Sequence, residues 1–79
     1  MPELHGKVAI ITGGARGQGA AETELFLKAG AAVAICDVLD KEGNELATRL
    51  AADGHACRFF HHDVTSAESW AQVVSGVTT

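Results

Sequence analysis

Four of the nine glycines in this 79-residue chain fall within eight positions, in the stretch TGGARGQG that runs from Thr12 to Gly19. The stretch follows an unbroken aliphatic run, VAII, which is typical of a strand buried on both faces of a parallel sheet. A glycine turn between such a strand and a helix directs backbone N–H groups at one point, where the helix dipole also favours negative charge. Glycine also allows a ligand to approach the main chain closely. The stretch therefore predicts a phosphate-binding loop.

Two further strand and helix patterns follow the loop. We predict strands at Lys7–Thr12, at Ala31–Asp37 and within residues 55–64 around Phe59 and Phe60. Helices are predicted over residues 20–29 and 41–54, and a third helix opens at a capping box from Thr65 to Glu68. Helical spacing predicts one core-facing stripe for each helix: Glu22, Leu25, Phe26 and Ala29; then Gly43, Leu46, Ala47 and Leu50; then Trp70, Val73, Val74 and Val77.

The order of these elements, joined by short connections, favours right-handed parallel crossovers over a helical bundle or a barrel. The predicted fold class is α/β, as the N-terminal βαβαβα portion of a Rossmann-type doubly wound parallel sheet. We assign residues 1–79 to one partial dinucleotide-binding domain. We expect it to be truncated, because no pattern for a fourth strand follows the third helix.

Composition indicates a soluble globular protein, with 47% hydrophobic and 20% charged residues. No apolar stretch approaches the ~18 residues of a membrane span, and a net charge of −4 without a basic cluster argues against nucleic acid as a partner. No export or organelle signal is visible at the start, so a cytoplasmic location is expected. Cys36 and Cys57 are interpreted as buried reduced thiols. The run His61-His62-Asp63 is not interpreted as a metal site, because adjacent strand residues point to opposite faces.

Two common phosphate-binding motifs do not fit the glycine loop. A nucleoside triphosphate loop needs Lys followed by Ser or Thr after its last glycine, and a G-x-G-x-x-G fingerprint would end here at Glu22 instead of a small residue. The spacing that fits is T-G-x-x-x-G-x-G, formed by Thr12, Gly13, Gly17 and Gly19. In this motif the chain resembles the short-chain dehydrogenase/reductase family, in which the longer turn cradles the cofactor pyrophosphate. Its sequence is most similar to that of bacterial hydroxysteroid-dehydrogenase-like members of the family.

Acidic residues at the ends of the later strands support a dinucleotide site. Asp37 ends the second strand, where a carboxylate accepts both hydroxyls of the adenosine ribose and repels a 2′-phosphate. This selects NAD over NADP as the expected cofactor. The resemblance further implies that Asp63 and Val64, at the end of the third strand, hold the adenine. All three lie at carboxyl ends of parallel strands, where ligands bind in open α/β sheets.

Two residues of the loop depart from the family pattern. Arg16 precedes Gly17 at a place where some relatives carry a basic residue that contacts a 2′-phosphate, which conflicts with Asp37. We give Asp37 the deciding role and interpret Arg16 as a pyrophosphate or ribose ligand. Gln18 is included among the cofactor-binding residues. With Glu22 it occupies positions that face the core in many relatives, and the two lie one helical turn apart, within hydrogen-bonding reach.

The resemblance implies a chemistry for which this chain has no residues. In the family a tyrosine acts with a lysine, a serine and an asparagine, all in later segments, whereas this sequence contains no tyrosine. We therefore assign no catalytic residue and predict that the 79 residues alone are inactive. The full-length parent would transfer hydride between NAD(H) and an alcohol or ketone such as a hydroxysteroid, as a homo-oligomer. The alternatives are a stand-alone, non-catalytic nucleotide-binding module and a non-functional remnant with exposed sheet edges.

Overall fold

Three parallel strands form the sheet of the computed structural model, which describes the backbone of residues 6–78 and the side chains of residues 6–74. The strands, in spatial order, are β1 (Val8–Thr12), β2 (Ala32–Asp37) and β3 (Cys57–His61). They alternate with the helices α1 (Gly17–Lys28), α2 (Asp40–Ala52) and α3 (Val64–Thr78). The predicted βαβαβα fold is thereby confirmed. Within the described residues, no helix is long and apolar enough to cross a membrane.

The central strand β2 is covered on both faces, and this explains why its sequence is apolar without alternation. On one face Val33 and Ile35 pack against α1 and α2, and on the other Ala34 and Cys36 pack against α3. Each of these four residues has no exposed surface. A strand covered on both faces has no polar side, so its apolar run is continuous.

The core-facing stripe predicted for α1 is wrong by part of a helical turn. Leu25 is 67% exposed and Glu22 is also exposed, whereas Thr23 and Leu27 are buried. A buried threonine is tolerated because its hydroxyl donates a 2.9 Å hydrogen bond to the carbonyl oxygen of Gly19, within the same helix. The number of apolar residues in the predicted stripe therefore did not identify the face of α1 that packs on the sheet.

The stripes of the other two helices follow the prediction to different extents. On α2, all four predicted positions are buried, and they are Gly43, Leu46, Ala47 and Leu50. On α3, Trp70 packs against Phe60 of β3 with ring centroids 6.2 Å apart. Val73 is instead 65% exposed, contrary to the prediction. The predicted position of Val77 lies outside the described side chains.

The two cysteines are buried free thiols, as predicted. They lie on opposite faces of the sheet, Cys36 with the α3 cluster and Cys57 with the α1 and α2 cluster, so they cannot form a disulfide with each other. Desolvation by burial raises the pKa of Cys57 to about 11 and also raises the pKa of Cys36. Both side chains are therefore neutral thiols at neutral pH, with the low reactivity of structural cysteines.

Candidate functional site

The three strands end at one edge of the sheet, and the ladder hydrogen bonds hold the loops that follow them. Because the strands are parallel, their last residues Thr12, Asp37 and His61 lie at the same edge. The amide of Gly13 donates to the Cys36 carbonyl over 2.8 Å, and the amide of His62 donates to the Asp37 carbonyl over 2.9 Å. The loops after β1 and β3 therefore start at positions fixed by the sheet.

The glycine loop is shaped by two left-handed glycines and one close approach. Gly13, which directly follows β1, has φ +69. Gly17, the first residue of α1, has φ +65, a left-handed conformation that side chains oppose. A Cβ atom on Gly19 would lie 2.8 Å from Gly14 Cα and closer still to the carbonyl oxygen of Gly13. The start of α1 is thus packed directly on the loop backbone. The first amides of a helix have no partner within it, so this backbone is suited to an anion.

Asp37 joins the glycine loop to the loop after β2. Its Oδ2 accepts a 3.2 Å hydrogen bond from the amide of Ala15, and its Oδ1 accepts a 3.1 Å hydrogen bond from the amide of Leu39. Ala15 is buried, and it lies 22 residues from Asp37 in the chain. A carboxylate offers about four lone-pair sites, so both oxygens retain acceptor capacity. The structure therefore brings the predicted ribose ligand into direct contact with the predicted phosphate loop.

The same contacts keep the Asp37 carboxyl group ionised. Desolvation is the largest single influence and would raise its pKa, but the amides of Leu39, Ala15 and Val38 act against it. The nearby Arg16 guanidinium lowers the pKa further. The net result is a pKa below the ordinary value of 3.8. Asp37 is therefore negatively charged over the whole physiological pH range.

The other predicted loop residues are placed at the surface of this edge. Arg16 is the N-cap residue of α1 with an extended backbone, and its Nη1 lies 3.8 Å from Glu42 Oε2 on α2. Thr12 and Gln18 are exposed. Glu22 is exposed as well, so neither Gln18 nor Glu22 faces the core of this chain.

Asp63 caps α3, so the predicted capping box at Thr65 is wrong by two residues. Its Oδ1 accepts a 3.1 Å hydrogen bond from the amide of Ser66, and its Oδ2 accepts a 2.7 Å bond from the Ser66 hydroxyl. The helix accordingly begins at Val64, which is 39% exposed at the same sheet edge. The bond from the Ser66 hydroxyl, followed by the amide bond, lowers the pKa of Asp63.

Replacing Ser66 with alanine is expected to raise the pKa of Asp63 toward its ordinary value of 3.8. The hydroxyl bond is the largest cause of the lowered pKa, and it favours the ionised carboxylate. A lowered pKa means that this contact stabilises the fold at neutral pH and stops doing so as the pH falls through the folded-state pKa. NMR titration of the carboxyl carbon measures the shift. Ser69→Ala, on the same helix, should leave the pKa unchanged, and an equal pKa in both variants would contradict the assignment.

Three residues at this edge were missed from the sequence. Ala15 and Leu39 act through backbone amides, which no side-chain motif reveals. Val38 directly follows Asp37 and is 60% exposed. An apolar residue just beyond a strand end, next to an acidic residue, is a signal that sequence reading can use, because a solvent-exposed valine there offers an apolar surface to a ligand.

The paired histidines do not form a metal cluster. His61 Nδ1 contacts Asp40 Oδ1 at the start of α2, and both side chains are exposed. Among the residues with described side chains, no three or more His, Cys, Asp or Glu groups are arranged to hold a metal ion. His61 therefore connects the end of β3 to α2.

Comparison with known proteins identifies the family. The sequence model described as short chain dehydrogenase matches residues 7–79. The chain belongs to the short-chain dehydrogenase family. This confirms the resemblance inferred from the glycine spacing, and it agrees with the parallel βαβαβα sheet.

Relatives of this short-chain dehydrogenase chain come from plants and bacteria. Zerumbone synthase of Zingiber zerumbet is 50% identical over 62 residues, 78% of this chain and 23% of that protein. The 3-alpha-(or 20-beta)-hydroxysteroid dehydrogenase of Mycobacterium bovis is 42% identical over 76 residues, 96% of this chain and 28% of that protein. The chain therefore spans about a quarter of the length of these curated relatives.

A solved structure supports the same fold. The Pseudomonas aeruginosa RhlG/NADP active-site complex superimposes with a TM-score of 0.68 at 37% sequence identity, covering 75% of this chain and 23% of that one. The superimposed part of this chain thus corresponds to about a quarter of that structure.

Proposed function

We propose that this chain is the NAD-binding segment of a short-chain oxidoreductase. The observation that supports the proposal is the contact between Asp37 Oδ2 and the amide of Ala15, which joins the proposed ribose ligand to the proposed phosphate loop. In a dinucleotide the adenosine ribose is bonded to the pyrophosphate through its 5′-oxygen, so the groups that bind the two must lie close together. Their juxtaposition at the carboxyl ends of parallel strands is the arrangement in which α/β sheets bind such cofactors.

The pyrophosphate is proposed to lie at the start of α1. Gly13, Gly17 and Gly19 carry no side chain that would keep a phosphate away from the loop backbone, and Thr12 precedes them at the end of β1. The unpaired amides of the helix N-terminus and its dipole attract the negative charge. In this proposal Arg16 and Gln18 flank the phosphates from the exposed side of the loop.

The adenosine is proposed to lie over the ends of β2 and β3. Asp37 accepts the hydroxyls of the ribose, and Val38 and Val64 offer exposed apolar surface for the adenine. Asp63 has part of its hydrogen-bonding capacity engaged by Ser66. Its proposed role toward adenine therefore uses the remaining lone pairs of a carboxylate held in place by its own helix.

The proposed cofactor is NAD and not NADP. Asp37 is ionised, so a 2′-phosphate beside it would be repelled by its negative charge. The superimposed Pseudomonas structure is a complex with NADP, which is a property of that protein. The proposal of NAD for this chain rests on the acidic residue at position 37.

The full-length parent is proposed to transfer hydride between NAD(H) and an alcohol or ketone, with a hydroxysteroid as one substrate class suggested by the relatives' names. The nicotinamide supplies the hydride chemistry, and this chain's residues bind and orient the adenosine end. No tyrosine is present in the 79 residues, so we propose that they bind cofactor without catalysing its reaction. A cytoplasmic, homo-oligomeric parent is part of the same proposal.

Calorimetric titration of the purified chain tests this function. We expect NAD and ADP-ribose to bind with similar, weak affinity, since the proposed contacts reach only the adenosine and pyrophosphate. Nicotinamide mononucleotide is the control and should not bind measurably. NADP should bind about tenfold more weakly than NAD or worse, because one charged contact is worth about that factor. Tighter binding of NADP than of NAD would contradict the proposal.

A further inference from the structure

We propose that Glu42 is a specificity-determining residue for the dinucleotide, because its carboxylate neutralises the Arg16 guanidinium that would otherwise attract a 2′-phosphate. The inference rests on the proposed function and concerns the same site. It resolves the conflict between a basic residue in the glycine loop and an acidic residue at the end of β2.

Arg16 lies beside one acidic side chain and acts electrostatically on a second. Its Nη1 lies 3.8 Å from Glu42 Oε2, in the first turn of α2. Its positive charge also acts on Asp37, whose pKa it helps to lower. Arg16 precedes α1, Asp37 ends β2 and Glu42 lies in α2, and the three are close because α1 and α2 begin at the sheet edge where β2 ends.

This arrangement changes what a basic residue at position 16 does. A free guanidinium beside the ribose would bind a phosphate through paired N–H groups. Paired with Glu42, Arg16 offers a phosphate less net positive charge than a free guanidinium would. Arg16 is thereby left to support the loop and the pyrophosphate without favouring NADP.

The expected effect is modest because the pair is solvent-accessible. The side chains of Arg16 and Glu42 are 72% and 41% exposed. Exposed ion pairs of this kind change equilibria by about twofold to fivefold. Asp37, which is partly buried and contacts the loop directly, is expected to contribute the larger share of selectivity.

The test compares Glu42→Gln with Glu45→Gln. Glu45 lies on the same helix, is exposed and carries the same charge, so its variant controls for the net charge. The measured quantity is the ratio of the Kd values for NADP and NAD at low ionic strength. Glu42→Gln should lower this ratio about twofold to fivefold relative to Glu45→Gln. In an Arg16→Gln background the same change should have no effect beyond that of the control.

Each outcome supports or contradicts the inference. The difference between the variants should fade at about 1 M salt, where the Debye length is about 3 Å. Equal ratios for both variants, in a chain that prefers NAD, would overturn the role of Glu42 while leaving the proposed function intact. An effect of Glu42→Gln that persists without Arg16 would also overturn it. Failure of the wild-type chain to bind either dinucleotide would overturn both proposals.

Discussion

Replacement of Asp37 with asparagine is expected to weaken NAD binding by about tenfold to a hundredfold and to abolish the preference over NADP. Hydrogen bonds to a charged group contribute about 1.5–3 kcal/mol, which corresponds to that range. Asparagine has an NH2 group in place of one carboxylate oxygen, and this group would face the backbone amide of Ala15 or of Leu39. Both groups are hydrogen-bond donors, so that backbone amide would lose its acceptor. Both the ribose contact and the anchoring of the loop are lost.

Calorimetry with NAD and NADP on the same preparations measures this change. Asp53→Asn is the matched control, since Asp53 is exposed at the other end of α2 and its loss removes the same charge. Circular dichroism should establish that both variants keep the helical content of the wild-type chain. An Asp37→Asn variant that still binds NAD more tightly than NADP would contradict the assignment of Asp37.

Replacement of Gly19 with alanine is expected to have the largest effect on folding. The new Cβ would lie 2.8 Å from Gly14 Cα and closer still to the Gly13 carbonyl oxygen, and both are backbone atoms that cannot rotate away. Overpacking against a rigid neighbour costs roughly 3 kcal/mol or more. A domain of this size has little stability to lose, so the variant should be largely unfolded or bind no dinucleotide.

Gly54→Ala is the control for that variant. Gly54 has φ +92 but nothing within 4 Å of the added Cβ, so it reports only the cost of a left-handed conformation. That cost is about 1–2 kcal/mol. Urea unfolding followed by circular dichroism gives both values. Equal destabilisation by the two substitutions would show that helix α1 does not press on the loop as described.

The fold was predictable because its signals are local. A strand buried on both faces has a continuous apolar run. Each helix of this chain also has a residue at its start or after its end that marks the helix boundary. Strand order and direction then follow from short crossover connections. The stripe of α2 was predicted correctly because its four positions are small or aliphatic. The stripe of α1 was not predicted correctly, because Thr23 is a polar residue that is buried with its hydroxyl hydrogen-bonded to the Gly19 carbonyl.

The site was only partly predictable. The T-G-x-x-x-G-x-G spacing and the acidic residue after the second strand are both visible in the sequence, and they identified the family that the comparisons confirm. The N-cap of α3 was misplaced at Thr65, since Asp63 was interpreted only as an adenine ligand. Its capping bonds to Ser66 belong to the same carboxylate. The family motif that contains Asp63 does not reveal this capping role.

The sequence by itself determined the parallel α/β fold, the glycine turn after the first strand and the family, because glycine spacing and apolar runs act over a few residues. Only the tertiary structure decided that Asp37 holds the amide of Ala15 and that Glu42 lies beside Arg16. These contacts join residues distant in the chain. Their distances depend on how α1 and α2 pack on the sheet, and helical periodicity does not specify that packing.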